Sequence, residues 1–244
     1  MAKRRQPRMV PLAEAVVAQH PEILDADDAI ETGRVLVGGK PLLNPRARVP
    51  ASAPITVEPE VVLRGAAKLE AAISTFDVRV EGRIALDAGA AAGGFTTVLL
   101  AHGAARVYAV DAGYGQLRGT LRQDPRVVNL ERTNLGELTT GLVPDPVELV
   151  TLDLSYLSLS RAVPELERVQ LAPDVDLIAL VKPMFELGLA NAPDDREQLE
   201  AAVSAARRGV EDAGWRVLAE MGSPVRGARG AVEFLVHASR WSGQ

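Results

Sequence analysis

The segment Asp87-Ala-Gly-Ala-Ala-Ala-Gly-Gly-Phe-Thr96 follows an apolar run over residues 84–88 and leads into a helical stretch. Gly89, Gly93 and Gly94 permit a tight turn and let backbone approach a ligand with no Cβ in the way. With Asp87 before the turn and Phe95 heading the helix, the segment is a candidate ligand seat. The next apolar run ends in Asp111. A carboxylate there can accept hydrogen bonds from both ribose hydroxyls of an adenosine-type cofactor. A third run leads to Glu131-Arg-Thr-Asn134. Asn134 stands where it could bond an adenine edge, or it is only a turn former. Asp153 and Lys182 follow two further apolar runs. Asp153 either reaches the same crevice or caps a helix, whereas a lysine closing a buried strand needs a reason.

These residues require a frame that brings strand ends together. Apolar runs at 84–88, 107–111, 127–130, 149–154, 177–181, 216–219 and 232–238 alternate with mostly helix-length segments. Alternation of this kind predicts a parallel, doubly wound α/β sheet. The last two runs are separated by the short turn 223–230, which permits a hairpin, so the seventh strand is expected to run antiparallel. That is the class I methyltransferase (Rossmann-like) arrangement, and ligands in such sheets sit beyond the strands' carboxyl ends. The glycine turn lacks the Gly-Lys-Ser/Thr of a P-loop and the tighter G-x-G-x-x-G of dinucleotide binders. Ala66, Leu69, Ile73 and Phe76 share a helical face, predicting an amphipathic helix over 60–76 that carries Lys68.

Composition narrows the chemistry. The absence of cysteine removes disulfides, thiolate metal sites and thiol nucleophiles. His20, His102 and His237 lack metal-ligand spacing, so no metal is expected. No apolar run approaches the roughly 18 residues that span a bilayer, and the basic start MAKRRQPR is not followed by an apolar stretch, which reads as cytoplasmic. The net charge of −5 argues against indiscriminate nucleic-acid binding.

The chain divides by texture into a basic tail (1–8), a small α+β block (9–58) and the large α/β domain (59–244). In the small block, residues 26–31 suggest a helix ended by Gly33, Arg34-Val-Leu-Val-Gly-Gly-Lys40 a strand and turn, and 55–57 a closing strand.

Several motifs resemble the TlyA family of S-adenosylmethionine-dependent ribosomal-RNA methyltransferases, whose catalytic domain is of the FtsJ type. They include Arg64-Gly-Ala-Ala-Lys-Leu-Glu70, Gly93-Gly-Phe-Thr96, Tyr108-Ala-Val-Asp-Ala-Gly-Tyr-Gly-Gln-Leu117, Leu149-Val-Thr-Leu-Asp-Leu-Ser155, Leu180-Val-Lys-Pro-Met-Phe-Glu186 and Glu233-Phe-Leu235. The resemblance covers about residues 60–240. It implies S-adenosylmethionine as cofactor and ribose 2′-O-methylation of RNA, ribosomal RNA within a subunit being the implied partner. It also implies a Lys–Asp–Lys–Glu tetrad, here Lys68, Asp153, Lys182 and Glu233. A ribose hydroxyl is a poor nucleophile, and a lysine held beside it by carboxylates favours the developing alkoxide or accepts the proton. Taken singly, Lys68 also reads as a solvated helix lysine and Glu233 as a surface ion-pair partner.

Residues 9–58 resemble that family's αL-type RNA-binding domain in part. They hold four basic and seven acidic residues, with Asp25, Asp27 and Asp28 where the family tends to carry Arg or Lys. Ala91-Ala92 replaces the family's Ser-Thr, and the segment after Glu186 is short, with no basic residue before Arg196. An RNA path is expected over Arg34, Lys40, Arg64, Arg118 and Arg226. A related enzyme acting on a small molecule, and a non-catalytic RNA-binding protein, are the alternatives.

Overall fold

A computed structural model describes residues 7–31, 33–58 and 63–241, and the chain separates into two compact units at residues 62 and 63. Most of the basic tail, and residues 60–62 of the expected amphipathic helix, lie outside the described residues.

The first unit contains β1 (Met9–Pro11), α1 (Leu12–Gln19), α2 (Ala26–Glu31), β2 (Val35–Val37), β3 (Lys40–Pro41), β4 (Arg48–Pro50) and β5 (Ile55–Val57). β1 pairs with β4, and β2 lies between β3 and β5. Gly38 and Gly39, both at positive φ, make the β2–β3 turn. Leu12, Val16, Ile30, Val35 and Ile55 form the unit's core, while Val17 faces outward. Asp25 accepts from Asp28 N at 2.9 Å, and Asp27 and Asp28 occupy the first turn of α2. The acids that dilute this unit's positive charge thus serve the start of a helix, where negative charge is favoured.

The second unit begins with α3 (Arg64–Phe76), which ends at Asp77 in the left-handed conformation. There follow β6 (Ile84–Ala88), α4 (Gly94–Ala101), β7 (Arg106–Asp111), α5 (Gly119–Gln123), β8 (Val127–Glu131) and β9 (Val147–Leu152). The chain continues through α6 (Leu159–Ala162), β10 (Leu171–Val181), α7 (Pro183–Glu186), α8 (Arg196–Asp212), β11 (Arg216–Gly222) and β12 (Phe234–Trp241). The seven strands form one sheet in the order β11-β12-β10-β9-β6-β7-β8. All pairings are parallel except those of β12, which runs antiparallel to both β10 and β11, as the short 223–230 connection predicts. Among the described residues no helix is long and apolar enough to cross a membrane.

The apolar runs are continuous because both sheet faces are covered. Leu86, Tyr108, Val150, Leu177 and Val236 pack on one side with Leu159, Leu166 and Val210. Ala85, Val107, Leu149, Ile178 and Leu235 pack on the other with Leu69, Ile73 and Leu99. Strand order reverses around β6, with β7 and β8 on one flank and β9 and β10 on the other. The carboxyl ends of β6, β7, β9 and β10 therefore share one edge, where such sheets open a crevice. Phe234 pairs with Val181 at that same edge, so the reversed sense of β12 brings Glu233, one residue before its start, beside Lys182, one residue after the end of β10.

Candidate active site

Two cavities meet at this edge. One, of about 230 Å³, is walled by Val110, Asp111, Gln116, Thr133, Leu135 and Tyr156. The other, of about 310 Å³, is walled by Lys68, Lys182, Met184, Phe185 and Glu233. Gly89, Ala91, Asp153 and Ser155 border both.

The turn after β6 is fastened to the end of β7. Gly89 N and Ala90 N donate to Val110 O, and Ala91 N donates to Asp111 Oδ2 at 2.9 Å. Asp111 Oδ1 also accepts from Gly113 N at 2.6 Å. A carboxylate has about four acceptor positions, so two remain for a ligand in the cavity. Gly89 has a φ of 88°, and a Cβ there would lie 2.3 Å from Asp153 O. Only glycine lets the β6 turn and the β9 loop approach this closely.

The second cavity holds two ion pairs. Lys182 Nζ lies 2.6 Å from Asp153 Oδ1 and donates to Ser155 Oγ at 2.8 Å. Lys68 Nζ donates to Glu233 Oε2 at 2.6 Å, with both residues 6 % exposed. Burying charges is tolerable only when they are paired, and each acid here answers one lysine. Gly227 abuts Glu233 so closely that a Cβ would fall 2.0 Å from its Oε1.

The structure therefore brings Lys68, Asp153, Lys182 and Glu233 to one cavity, and Gly89, Asp111 and Asp153 to its neighbour. The other expected ligand residues lie elsewhere. Asp87 is fully buried on β6, accepting from Thr96 Oγ1 at 2.6 Å and Thr151 Oγ1 at 3.0 Å. Burial pushes its carboxyl up to about 6, against the pull of the two threonines and with the help of Asp153 nearby. Gly93, at a φ of 95°, faces Leu121 and Leu117, and Gly94 allows α3 to approach α4 at Gly65 and Ala66. Phe95 is core. Asn134 closes a capping box with Glu137, donating from its amide at 3.0 Å, while its neighbours Thr133 and Leu135 line the cavity. Here the turn chemistry of Asn prevails.

Sequence reasoning gave no part to Ser155, Glu186 or Gly227. The first two stand inside recognisable motifs, but their partners, Lys182 and Leu159, are each 27 residues away. Gly227 carries no sequence signal for its contact with Glu233. Of the basic residues expected to face RNA, Lys40, Arg64 and Arg226 are exposed, whereas Arg34 is held by Asp28 at 3.2 Å.

A sheet with this order and a reversed last strand, with two cavities meeting at its carboxyl edge, defines a class I methyltransferase. The FtsJ-like methyltransferase family matches residues 61–240, and the chain belongs to that family, in its TlyA group. It is 41 % identical over 221 residues to the 16S/23S rRNA (cytidine-2′-O)-methyltransferase TlyA of Mycobacterium tuberculosis, covering 86 % of this chain and 82 % of the relative. Hemolysin A of Brachyspira hyodysenteriae is 32 % identical over 224 residues, covering 87 % and 91 %. A solved hemolysin-type structure from Streptococcus thermophilus superposes with a TM-score of 0.71 at 29 % identity, covering 97 % of this chain and 90 % of that one.

Proposed function

We propose that this enzyme transfers a methyl group from S-adenosylmethionine to a ribose 2′-hydroxyl of ribosomal RNA. The observation that carries the reading is the shared wall of the two cavities. Asp153 borders both, and it holds the Lys182 ammonium on the acceptor side.

The donor set of the first cavity fits the cofactor. Asp111 would hold the ribose hydroxyls, the 89–91 turn would face the amino-acid part, and Val110 and Leu135 would offer apolar walls to the base. When bound, the cofactor supplies a methyl already activated by sulfonium charge. The chain's own task is then to place and polarise the acceptor oxygen. Lys182 spends two of its three N–H donors on Asp153 and Ser155, which leaves one for that oxygen. The hydroxyl gives up its proton to solvent as it is methylated, and a preorganised ammonium aimed at the negative charge developing on its oxygen lowers the barrier without reorganising during the reaction. Lys68 and Glu233 fix the opposite wall, and Gly227 leaves Glu233 the space it occupies.

Nucleoside mass spectrometry of 16S and 23S RNA from cells with and without the gene tests the reading. The expected result is a 2′-O-methylnucleoside that disappears on deletion and returns with the wild-type gene but not with Lys182→Ala. Identical nucleoside profiles would overturn it and favour the small-molecule acceptor, to which the short segment after Glu186 also points.

A further inference from the structure

The two segments that form the junction of the cavities are clasped to each other twice. Residues 155–159 follow β9, and residues 182–186 follow β10. At one end Lys182 Nζ donates to Ser155 Oγ at 2.8 Å. Four residues further along each segment, Glu186 Oε1 accepts from Leu159 N at 2.9 Å. Between the clasps, Tyr156 lines the cofactor-side cavity, while Met184 and Phe185 line the acceptor-side cavity.

Glu186 is an unexpected choice for this position. Burial pushes its carboxyl up to about 7, and only the bond from Leu159 N opposes the shift. Leu159 opens α6, whose own N-cap residue, Ser158, makes no side-chain cap bond and instead pairs with Ser160 at 2.9 Å. The start of α6 is therefore capped from another part of the fold, by a side chain four residues beyond Lys182. A Ser158 cap would accept from the second or third N–H of the helix and not from Leu159 N, so that N–H needs an acceptor from elsewhere in the fold. Glu186 supplies that acceptor and, with it, a mechanical link between the two segments.

We propose that Glu186 is a positioning residue: by holding Leu159 N it locks the 155–159 segment to the 182–186 segment, so that filling the cofactor cavity sets the placement of the Lys182 ammonium. The inference rests on the methyl-transfer reading of this site. Glu186 borders neither cavity and touches no reacting atom.

The test compares the full chain with Glu186→Ala and Glu186→Gln, the latter retaining a carbonyl acceptor for Leu159 N. Hydrogen exchange is measured with and without S-adenosylhomocysteine, and methyl transfer is measured on ribosomal subunits that lack the modification. In wild type the ligand is expected to slow exchange in both segments together. In Glu186→Ala, protection is expected to persist around Asp111 but to vanish from 182–186. Its kcat should fall about 10²-fold, as for a misplaced catalytic group, with KM for the cofactor nearly unchanged. Glu186→Gln should stay within about threefold of wild type, since one hydrogen bond is exchanged for a similar one. A Glu186→Ala enzyme with wild-type kcat, or a Glu186→Gln enzyme impaired as much as Glu186→Ala, overturns the proposal. If wild type binds S-adenosylhomocysteine but methylates neither subunit, the substrate reading fails. The exchange data then decide the clasp alone: coupled protection lost in Glu186→Ala and restored in Glu186→Gln supports it, and equal protection in all three overturns it.

Discussion

Asp87→Asn is expected to change the pH dependence of stability. Asp87 has no solvent exposure, and burial raises its carboxyl from 3.8 to about 6 despite the two threonine donors. Asparagine removes the charge, keeps one carbonyl acceptor and offers an amide to the second threonine, whose hydroxyl can turn to accept. Because the folded value lies above the unfolded one, the folded state binds the proton more tightly. The stability that this contributes is fully present below about pH 4 and is lost as pH rises through about 6. A shift of this size corresponds to about 3 kcal/mol lost by pH 8, of which about 1.4 kcal/mol is lost between pH 5 and pH 8. The asparagine variant lacks the titration, so its stability relative to wild type should rise by about 1.4 kcal/mol over that interval. Urea unfolding at several pH values measures this, followed by tryptophan fluorescence, because Trp215 and Trp241 both lie in the larger unit. Cofactor affinity should stay within about threefold of wild type, since the hydrogen bonds bracing Thr96 survive in neutral form. A relative stability that is flat or falling with pH refutes the assignment of a buried, reluctantly ionised carboxylate.

Three further outcomes follow from the same geometry. Lys182→Ala should lower single-turnover methyl transfer by about 10² to 10⁴ while leaving cofactor affinity nearly intact, and Lys182→Arg should also be poor because its planar fork cannot reproduce the ammonium's contacts; a fully active Lys182→Ala enzyme would make the residue structural. Asp111→Ala should weaken S-adenosylmethionine binding by about 1.5–3 kcal/mol in calorimetry, the worth of hydrogen bonds to a charged acceptor, and equal affinities would remove Asp111 from the cofactor seat. Lys68→Met strands the Glu233 carboxylate and should cost about 3–5 kcal/mol in urea unfolding, most of it recovered when Glu233→Leu is added; a cost no larger than that of a surface pair would show that the Lys68–Glu233 contact is not a closed ion pair.

The sheet was legible because its central strands are buried on both faces, so their inner parts are largely apolar runs. The run at 84–88 coincides with β6, and the reversed sense of β12 follows from the shortness of the 223–230 connection. β1 and β4 escaped notice: Met9-Val-Pro11 and Arg48-Val-Pro50 are three residues long and end in proline, so no alternation can develop. β10 begins at Leu171, six residues before the apolar run, through Pro173, Asp174 and Asp176. Those residues sit at a register irregularity against β9, and Asp176 is paired with Arg83 and hydrogen-bonded to His237. At the site, residue type announced which groups could do chemistry but not which way they faced. Asp87, Gly93, Gly94 and Phe95 look like ligand-loop residues in sequence, yet their neighbours are Thr151, Leu121, Ala66 and the core, all supplied by tertiary packing.

The charges inside the acceptor cavity bear on how RNA must be held. Lys68 and Lys182 are each matched by one acid at 2.6 Å, so the cavity presents four charges that sum to zero. A compensated wall of this kind gives little net attraction for a polyanion, whose affinity comes mainly from cations that neutralise phosphates. Its charges are directional instead, with each lysine held by an acid on one side. Attraction must then come from outside the cavity, where the small unit is sparing. The net charge is −5, and in the small unit Arg34 and Arg48 are already engaged, by Asp28 and by Met9 O. Lys40, Arg46 and Arg64 are among the exposed cations that can supply that attraction. A net negative chain and a neutral cavity suit a substrate recognised by shape and by a presented hydroxyl better than one captured by bulk charge, as expected where a structured RNA offers one nucleotide to the lysine.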